Sequence, residues 1–184
     1  STYASLRDEL VFDGKLYGFP ANVNFSLNIV NRDLFARLGV PLPPRRWTFE
    51  AFEEQGRAFI SKANAGRKRQ EVFYVSGPDW MPLRRSAGVG NFNETLTAPT
   101  LDQPAHHALM KRVRRWIYED HLMPTEAENQ SFSVDQTYGP ASFQLLQKGN
   151  FAMIPSGRWC LTQMRLMATV NYGAVEAPHG GFPN

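Results

Sequence analysis

The 184-residue sequence has a single cysteine, no long apolar run and no visible signal peptide. With Cys160 as the only cysteine, an intrachain disulfide is excluded, and cysteine usage does not indicate a redox compartment. No segment approaches the roughly 18 consecutive apolar residues that mark a membrane-spanning helix. We expect both ends, at Ser1 and Asn184, to be truncated, so the missing signal peptide says little about export.

Metal-binding patterns are also missing from the sequence. His106 and His107 are neighbours in a predicted helix, where successive side chains diverge by about 100°, which is a poor geometry for shared coordination. His121 and His179 are remote in sequence, and Cys160 stands alone, so the spacing of a zinc site is absent. We therefore predict no metal.

The sequence shows no catalytic or nucleotide-binding motif. Gly88-Val89-Gly90 lacks the rest of a dinucleotide fingerprint, and neither a P-loop nor a Gly-x-Ser-x-Gly motif is present. Glu126 and Glu128 are close in sequence, but they fall in a predicted polar loop without surroundings that would raise a carboxyl pKa. We predict no catalytic residue and no cofactor, so the chain is not expected to be an enzyme.

The composition is that of a globular protein. Hydrophobic residues make up 42% and aromatic residues 12%, in a length sufficient for one domain with its own core. The net charge is only +3, although basic residues cluster at 67–69 and 111–115. Because charge alone rarely identifies a partner, we interpret the clusters as solvated surface rather than a nucleic-acid site. Arg112 and Arg115 should then be solvent-exposed, outside the apolar face of their helix.

Strand and helix signals alternate along the chain. Asp13-Gly14 between two short apolar pairs predicts a β-hairpin, Gly39 predicts the end of a helix, and Thr48 predicts the start of another. This alternation is typical of an α/β layered domain, with a central sheet of about four or five strands. The predicted strands after the hairpin lie at 25–30, 71–75, 151–154 and 170–175, and the predicted helices at 33–38, 49–60, 80–87, 104–122, 141–148 and 157–167.

Two segments resemble a known family, and the resemblance covers roughly residues 12–178. One starts at Asp13-Gly14-Lys15-Leu16-Tyr17-Gly18-Phe19-Pro20 and passes through an apolar run, a short helix and a proline-rich loop to Trp47-Thr48-Phe49-Glu50. The other is Phe143, then Gly149-Asn150-Phe151-Ala152-Met153-Ile154-Pro155-Ser156-Gly157-Arg158-Trp159. Their order is similar to that in extracellular solute-binding proteins of ABC transporters, within the sugar-binding family that includes maltose-binding protein.

The resemblance implies a periplasmic-binding-protein-like (type II) lobe, with a central mixed sheet flanked by helices. Family members bind their ligand between two lobes, and residues 1–184 would form a single lobe, the middle segment of such a protein. It also implies a small-molecule solute, foremost a sugar, and the membrane permease of an ABC transporter as partner. The implied location is periplasmic or extracellular, membrane-associated in Gram-positive hosts.

The second segment supplies the clearest candidate site. Gly157 would let a ligand approach the backbone closely, and the helix start that follows would point free N–H groups at it. Trp159 can present a flat apolar face to the C–H groups of a sugar ring. The alternative for Trp159 is a position in the core.

Two other regions contribute weaker candidates. In the context of the family, Trp80 is expected to face the cleft, and Asp79 could accept hydrogen bonds from sugar hydroxyls. The alternative for Trp80 is a loop position that covers the core. Asn22 and Asn24 lie near the crossing between lobes, where they either bind ligand or pair backbone groups of the crossing segment, and we favour the backbone role.

The sequence therefore favours capture of a carbohydrate-type solute for an ABC importer, by hinge closure and without bond chemistry. Two alternatives stay open. A carbohydrate-active enzyme domain would need a positioned pair of carboxylates in the cleft. A nucleic-acid-binding module would need a continuous basic stripe with interleaved aromatic residues.

Overall fold

The computed structural model describes residues 10–18, 26–93, 95–132, 141–166 and 170–182. The strands in these ranges are β1 (Val11–Phe12), β2 (Lys15–Leu16), β3 (Leu27–Asn31), β4 (Phe73–Val75), β5 (Phe151–Ser156) and β6 (Tyr172–Glu176). The helices are α1 (Arg32–Leu38), α2 (Phe49–Ala63), α3 (Trp80–Ser86), α4 (Pro104–Tyr118), α5 (Glu126–Ser131), α6 (Ala141–Lys148) and α7 (Cys160–Leu166).

Four strands form a mixed central sheet in the order β4-β5-β3-β6. β4 runs parallel to β5, whereas β3 runs antiparallel to both β5 and β6. Strand residues take part in two apolar clusters, one that also holds residues of α2 and α4 and one that holds residues of α6 and α7. The prediction of an α/β fold with a mixed sheet flanked by helices is confirmed.

Several local predictions are also confirmed. Asp13 and Gly14 both have positive φ, 50° and 71°, in the turn that joins β1 to the antiparallel β2. Gly39 has a φ of 60° and ends α1 in the left-handed conformation that glycine adopts without a steric penalty. Thr48 begins α2, since its hydroxyl oxygen accepts the Ala51 N–H at 3.3 Å. In the same turn, a backbone N–H hydrogen bond lowers the pKa of Glu50.

Aromatic side chains fill the larger cluster around Tyr74 of β4. Its ring centroid lies 5.3 Å from that of Phe59, 5.4 Å from that of Phe52 and 6.2 Å from that of Phe35. Tilted and edge-on ring contacts of this kind add to the stabilisation that burial of the rings provides. The Tyr74 hydroxyl donates to Gln55 Oε1 at 2.9 Å, so this buried polar group has a hydrogen-bond partner. Burial raises the pKa of the same hydroxyl.

The smaller cluster includes the only cysteine. Cys160 is 1% exposed, and its Sγ lies 3.5 Å from Met164 Sδ in the next turn of α7. This burial fits a free cysteine, which behaves as a small apolar side chain. The other buried members of the cluster are Ile29, Phe73, Phe143, Leu145, Leu146, Phe151 and Ile154.

One helix was not predicted, and several helix ends differ from the predictions. Residues Glu126–Ser131 form a helix where a polar loop was predicted, because Thr125 and Glu128 form a reciprocal capping box. α4 ends at Tyr118 rather than near 122. The last helix begins at Cys160 rather than at Gly157, since a turn comes between it and the end of β5.

Arg112 and Arg115 lie outside the buried face of α4 as expected, but they are only partly exposed to solvent. Their side chains are 31% and 40% exposed, and both contact Glu53, a buried carboxylate of α2. Arg115 Nη2 lies 2.6 Å from Glu53 Oε1, Arg112 Nε lies 3.5 Å from it, and Trp116 Nε1 donates to the same oxygen at 2.8 Å. These basic side chains therefore join α4 to α2.

We predict that Glu53→Gln destabilises the fold. Both the ion pairs and the charge-assisted bond from Trp116 depend on the Glu53 carboxylate, so the free energy of unfolding should fall by about 1–3 kcal/mol. Urea unfolding followed by tryptophan fluorescence measures the change. Glu54→Gln is the matched control, because Glu54 is exposed on the next position of α2 and should shift the midpoint little. Equal midpoints for the two variants would contradict this account.

Candidate functional site

A groove lies at one edge of the central sheet, where three strands meet. β4 and β5 are parallel, so both end at this edge, and the antiparallel β3 begins there. The Ser76 N–H donates to the Met153 carbonyl at 3.1 Å, and Leu27 pairs with Ser156 across β3 and β5. In open α/β sheets, ligands bind outside the carboxyl ends of parallel strands.

We call this feature the strand-end groove. Its cavity volume is about 370 Å³, a size that suits a small sugar rather than a macromolecule. The lining combines hydroxyls, one carboxylate, one indole ring and accessible backbone. The lining residues are Ser26, Ser76, Gly77, Pro78, Asp79, Pro155, Ser156, Gly157 and Trp159.

Trp159 stands at the groove with its side chain largely open to solvent. The residue is 57% exposed, and the Phe143 ring packs edge-on against it, with centroids 5.7 Å apart and planes at 70°. Phe143 is itself buried in α6, so it supports the indole ring from one side. A supported but exposed aromatic face beside polar groups is suited to stacking on a sugar ring.

The turn between β5 and α7 positions Trp159. The Cys160 N–H donates to the Gly157 carbonyl at 3.0 Å, and the Leu161 N–H donates to the Arg158 carbonyl at 3.1 Å. The N–H groups of these two residues are therefore occupied, and the offer of free N–H groups to a ligand stays a prediction for residues 157–159. Gly157 keeps the expected position in the groove lining.

Asp79 contributes to the groove a carboxylate that does not cap the helix it precedes. It precedes α3 in the N-cap position, yet its side chain makes no capping hydrogen bond. Only its carbonyl is used, as the acceptor for the Leu83 N–H at 3.2 Å. Within the described parts of the chain, no hydrogen bond or ion pair engages the Asp79 carboxylate, so it is available to a ligand.

Ser156 is the last residue of β5, and its hydroxyl lacks a partner. The residue is 8% exposed, and its Oγ is buried without a hydrogen bond in the described structure. Buried hydroxyls are normally paired, and an unpaired one costs free energy. An unpaired hydroxyl in the lining of a groove is a feature of binding sites rather than of cores.

The structure does not bring every predicted site residue to the strand-end groove. Asp79, Gly157 and Trp159 line it together, but Trp80 lines a separate hollow of about 300 Å³ with side chains of α3 and α4. Trp80, which was expected to face the cleft, therefore does not share the lining of this groove with Trp159. Asn22 and Asn24 lie outside the described residues.

Sequence reasoning missed the serines of the lining. The three serines are distant in sequence: Ser26 directly precedes β3, Ser76 directly follows β4, and Ser156 is the last residue of β5. The usable signal was the position of Ser76 and Ser156, each of which follows an apolar run. Without the order and directions of the strands, nothing in the sequence indicated that they converge.

We predict that Ser156→Ala does not destabilise the protein, although Ser156 is buried. Removal of an unpaired hydroxyl should leave the melting temperature unchanged or raise it. Ser86→Ala is the matched control, because Ser86 is fully buried and its hydroxyl donates to the Leu83 carbonyl at 3.1 Å. That change should cost about 0.5–1.5 kcal/mol. A larger loss for Ser156→Ala than for Ser86→Ala in thermal unfolding would show that Ser156 has a structural partner.

No protein-family profile matches the chain, and no curated protein sequence matches it either. Solved structures do match. The ABC substrate-binding protein Lmo0181 of Listeria monocytogenes, in complex with cycloalternan, has a TM-score of 0.72 at 22% identity, over 96% of this chain and 43% of that one. A solute-binding protein of Thermotoga lettingae with bound α-D-tagatose has a TM-score of 0.70 at 13% identity, over 98% and 46%.

A further neighbour is maltose-bound MalE3 of T. maritima, with a TM-score of 0.64 at 17% identity over 97% of this chain and 44% of that chain. The chain thus has the fold found in ABC solute-binding proteins, and the expected type II periplasmic-binding-protein-like fold is confirmed. It spans less than half the length of each of these neighbours, in keeping with a single lobe. No described helix is long and apolar enough to span a bilayer.

Proposed function

We propose that this chain is one lobe of a solute-binding protein that captures a carbohydrate-type solute for an ABC importer. The observation that carries the proposal is the strand-end groove, in which an exposed, supported Trp159 lies beside Asp79 and the serine hydroxyls. The shared fold adds support, since neighbours with this fold were solved with cycloalternan, tagatose and maltose bound.

Each groove residue would make a different kind of contact with a bound sugar. The Trp159 ring would cover the apolar face of a sugar ring, while Asp79 accepts hydrogen bonds from its hydroxyls. Gly157 has no side chain, so a ligand can approach the backbone at the end of β5. A second lobe would close over the ligand by hinge motion, which excludes water and strengthens these polar contacts.

Delivery to a membrane permease, and a periplasmic or extracellular location, belong to the same proposal. Both follow from the role that solute-binding proteins with this fold serve in ABC transporters. In a Gram-positive host, we expect the protein to be held at the membrane surface. Delivery to a permease requires the chain neither to make nor to break a covalent bond, and binding alone would supply the specificity for the solute.

The structure favours this reading over the two alternatives. A nucleic-acid site needs free cations, but Arg112 and Arg115 are half-buried and contact the carboxylate of Glu53. A glycoside hydrolase needs two facing carboxyl groups, and Asp79 is the sole carboxylate among the described residues that line the groove.

We predict that Trp159→Ala weakens sugar binding while the fold survives. In the full-length two-lobe protein, loss of the stacking ring should reduce the binding free energy by about 1–3 kcal/mol for a ligand from a neutral sugar panel. Isothermal titration calorimetry and thermal unfolding of the same samples separate affinity from stability. Because Trp159 is 57% exposed, the melting temperature should change little.

Tyr118→Ala is the matched control for this experiment. Tyr118 is 56% exposed, its ring contacts Arg114 at the end of α4, and it is not among the residues that line the groove. Its removal should leave sugar affinity unchanged. If Trp159→Ala unfolds the protein but leaves the affinity of folded molecules intact, Trp159 is a structural residue. If Trp80→Ala rather than Trp159→Ala abolishes binding, the ligand sits in the other hollow.

A further inference from the structure

A small pocket lies next to the strand-end groove, on the face of the sheet that packs against α2 and α4. The pocket and the groove share four lining residues, which are Gly77, Pro78, Asp79 and Pro155. Buried side chains from three helices help to close the pocket, namely Phe52 of α2, Leu83 of α3 and Trp116 of α4. Asn28 of β3 adds a side-chain amide to the lining, and we call this feature the Asn28 pocket.

The side-chain amide of Asn28 has no hydrogen-bond partner among the described residues, although Asn28 is only 4% exposed. Successive side chains of a strand alternate between faces, so Asn28 shares the face of Val30, which packs in the larger apolar cluster with residues of α2 and α4. Asn31, by contrast, donates to the Leu146 carbonyl at 2.8 Å and accepts the Leu34 N–H at 3.0 Å. Because buried amides are normally paired, the amide of Asn28 indicates a bound partner in the pocket.

The segment 77–79 lies across β5 from Asn28 and also has unused hydrogen-bonding groups. Asn28 pairs with Pro155 in register, and β5 lies between β3 and β4 in the sheet. Pro155 has no N–H, so it cannot add a ladder bond from β5 to the chain that continues from β4. Neither Gly77 nor Asp79 donates its backbone N–H to a described residue. The pocket therefore has a free amide on one side and free N–H groups on the other.

The volume of the Asn28 pocket decides what it can hold. That volume is about 20 Å³. A buried water needs at least about 10–15 Å³ and about two to four polar partners, whereas a pocket for a small organic ligand needs about 300 Å³ or more. The Asn28 pocket therefore has room for a single water, and its amide and N–H groups supply the partners that an apolar cavity would lack.

We propose that the Asn28 pocket binds one water molecule, which joins Asn28 to the segment 77–79 and so helps to hold Asp79 at the groove. The Asn28 Oδ1 accepts a hydrogen of the water, and the water oxygen accepts the N–H of Gly77 or Asp79. The water thus replaces the ladder bond that Pro155 cannot make. Asn28 is a positioning residue rather than a ligand contact, and this role rests on the proposed function.

Magnetic relaxation dispersion of the water signal tests the water site, because it counts long-lived internal waters in the full-length two-lobe protein. Asn28→Leu keeps a similar side-chain volume without the amide, so the count should fall by about one. Asn171→Leu is the matched control, since it makes the same change at an exposed position before β6, outside the pocket, and should leave the count unchanged. A high-resolution crystal structure of the wild type should show the water about 3 Å from the Asn28 amide. Equal counts for the wild type and Asn28→Leu would overturn the site.

Sugar affinity of the same variants tests the positioning role, by calorimetry with maltose and with D-tagatose. Asn28→Leu should weaken binding about three- to tenfold, the scale of one lost hydrogen bond. Asn28→Ser keeps a hydroxyl and leaves room for water, so it should recover most of the affinity that Asn28→Leu loses. The melting temperature of Asn28→Leu should change little, because an apolar side chain replaces both the amide and its water between apolar walls.

The two measurements separate the ways in which the proposal can fail. If Asn28→Leu loses the water yet binds sugar as tightly as Asn171→Leu, the positioning role is wrong. If Asn28→Leu loses affinity while the water count stays the same, the effect does not pass through a water and the proposal is overturned. If no sugar binds to the wild type, the proposed function fails together with the positioning role, while the water count still decides whether the pocket binds water.

Discussion

The direction of β3 within the sheet is the constraint on which the candidate site depends. β5 pairs with β4 on one side in parallel and with β3 on the other in antiparallel orientation. The beginning of β3 therefore meets the ends of β4 and β5 at one edge, and Ser26, Ser76 and Ser156 converge there. With β3 reversed, the groove would lose one wall, although every local element could still form.

Much of the fold was predictable because its signals are local. A turn dipeptide, a glycine at a helix end and a threonine at a helix start each act within four residues, and the structure uses all three as predicted. The α5 helix was missed because it buries no residue and so has no apolar periodicity. Its capping box, Thr125 with Glu128, was present in the sequence as the one usable signal.

The site was predictable only where its residues follow one another. Gly157 and Trp159 share one strand-to-helix connection, and the structure places both at the groove. Trp80 illustrates the limit, because it is the first residue of α3 while Asp79 is the last residue before it. Neighbouring side chains at a helix start point in different directions, so adjacency to a groove residue does not place Trp80 in the same groove. Convergence of the serines depends on strand order, which no local pattern reveals.

Two buried polar groups of the core differ from two polar groups of the groove in whether they have hydrogen-bond partners. In the core, the Glu53 carboxylate and the Tyr74 hydroxyl each have hydrogen-bond partners. A buried polar group without a partner would lower the stability of the fold. At the groove, the Ser156 hydroxyl and the Asp79 carboxylate have none in the described structure. The buried, unpaired Ser156 hydroxyl lowers the stability of the unliganded protein, and a ligand that pairs it recovers that free energy on binding. The Tyr172 hydroxyl is also buried without a partner, but the Ser156 hydroxyl and the Asp79 carboxylate share the lining of one groove, and this shared position is a physical reason to place the ligand there.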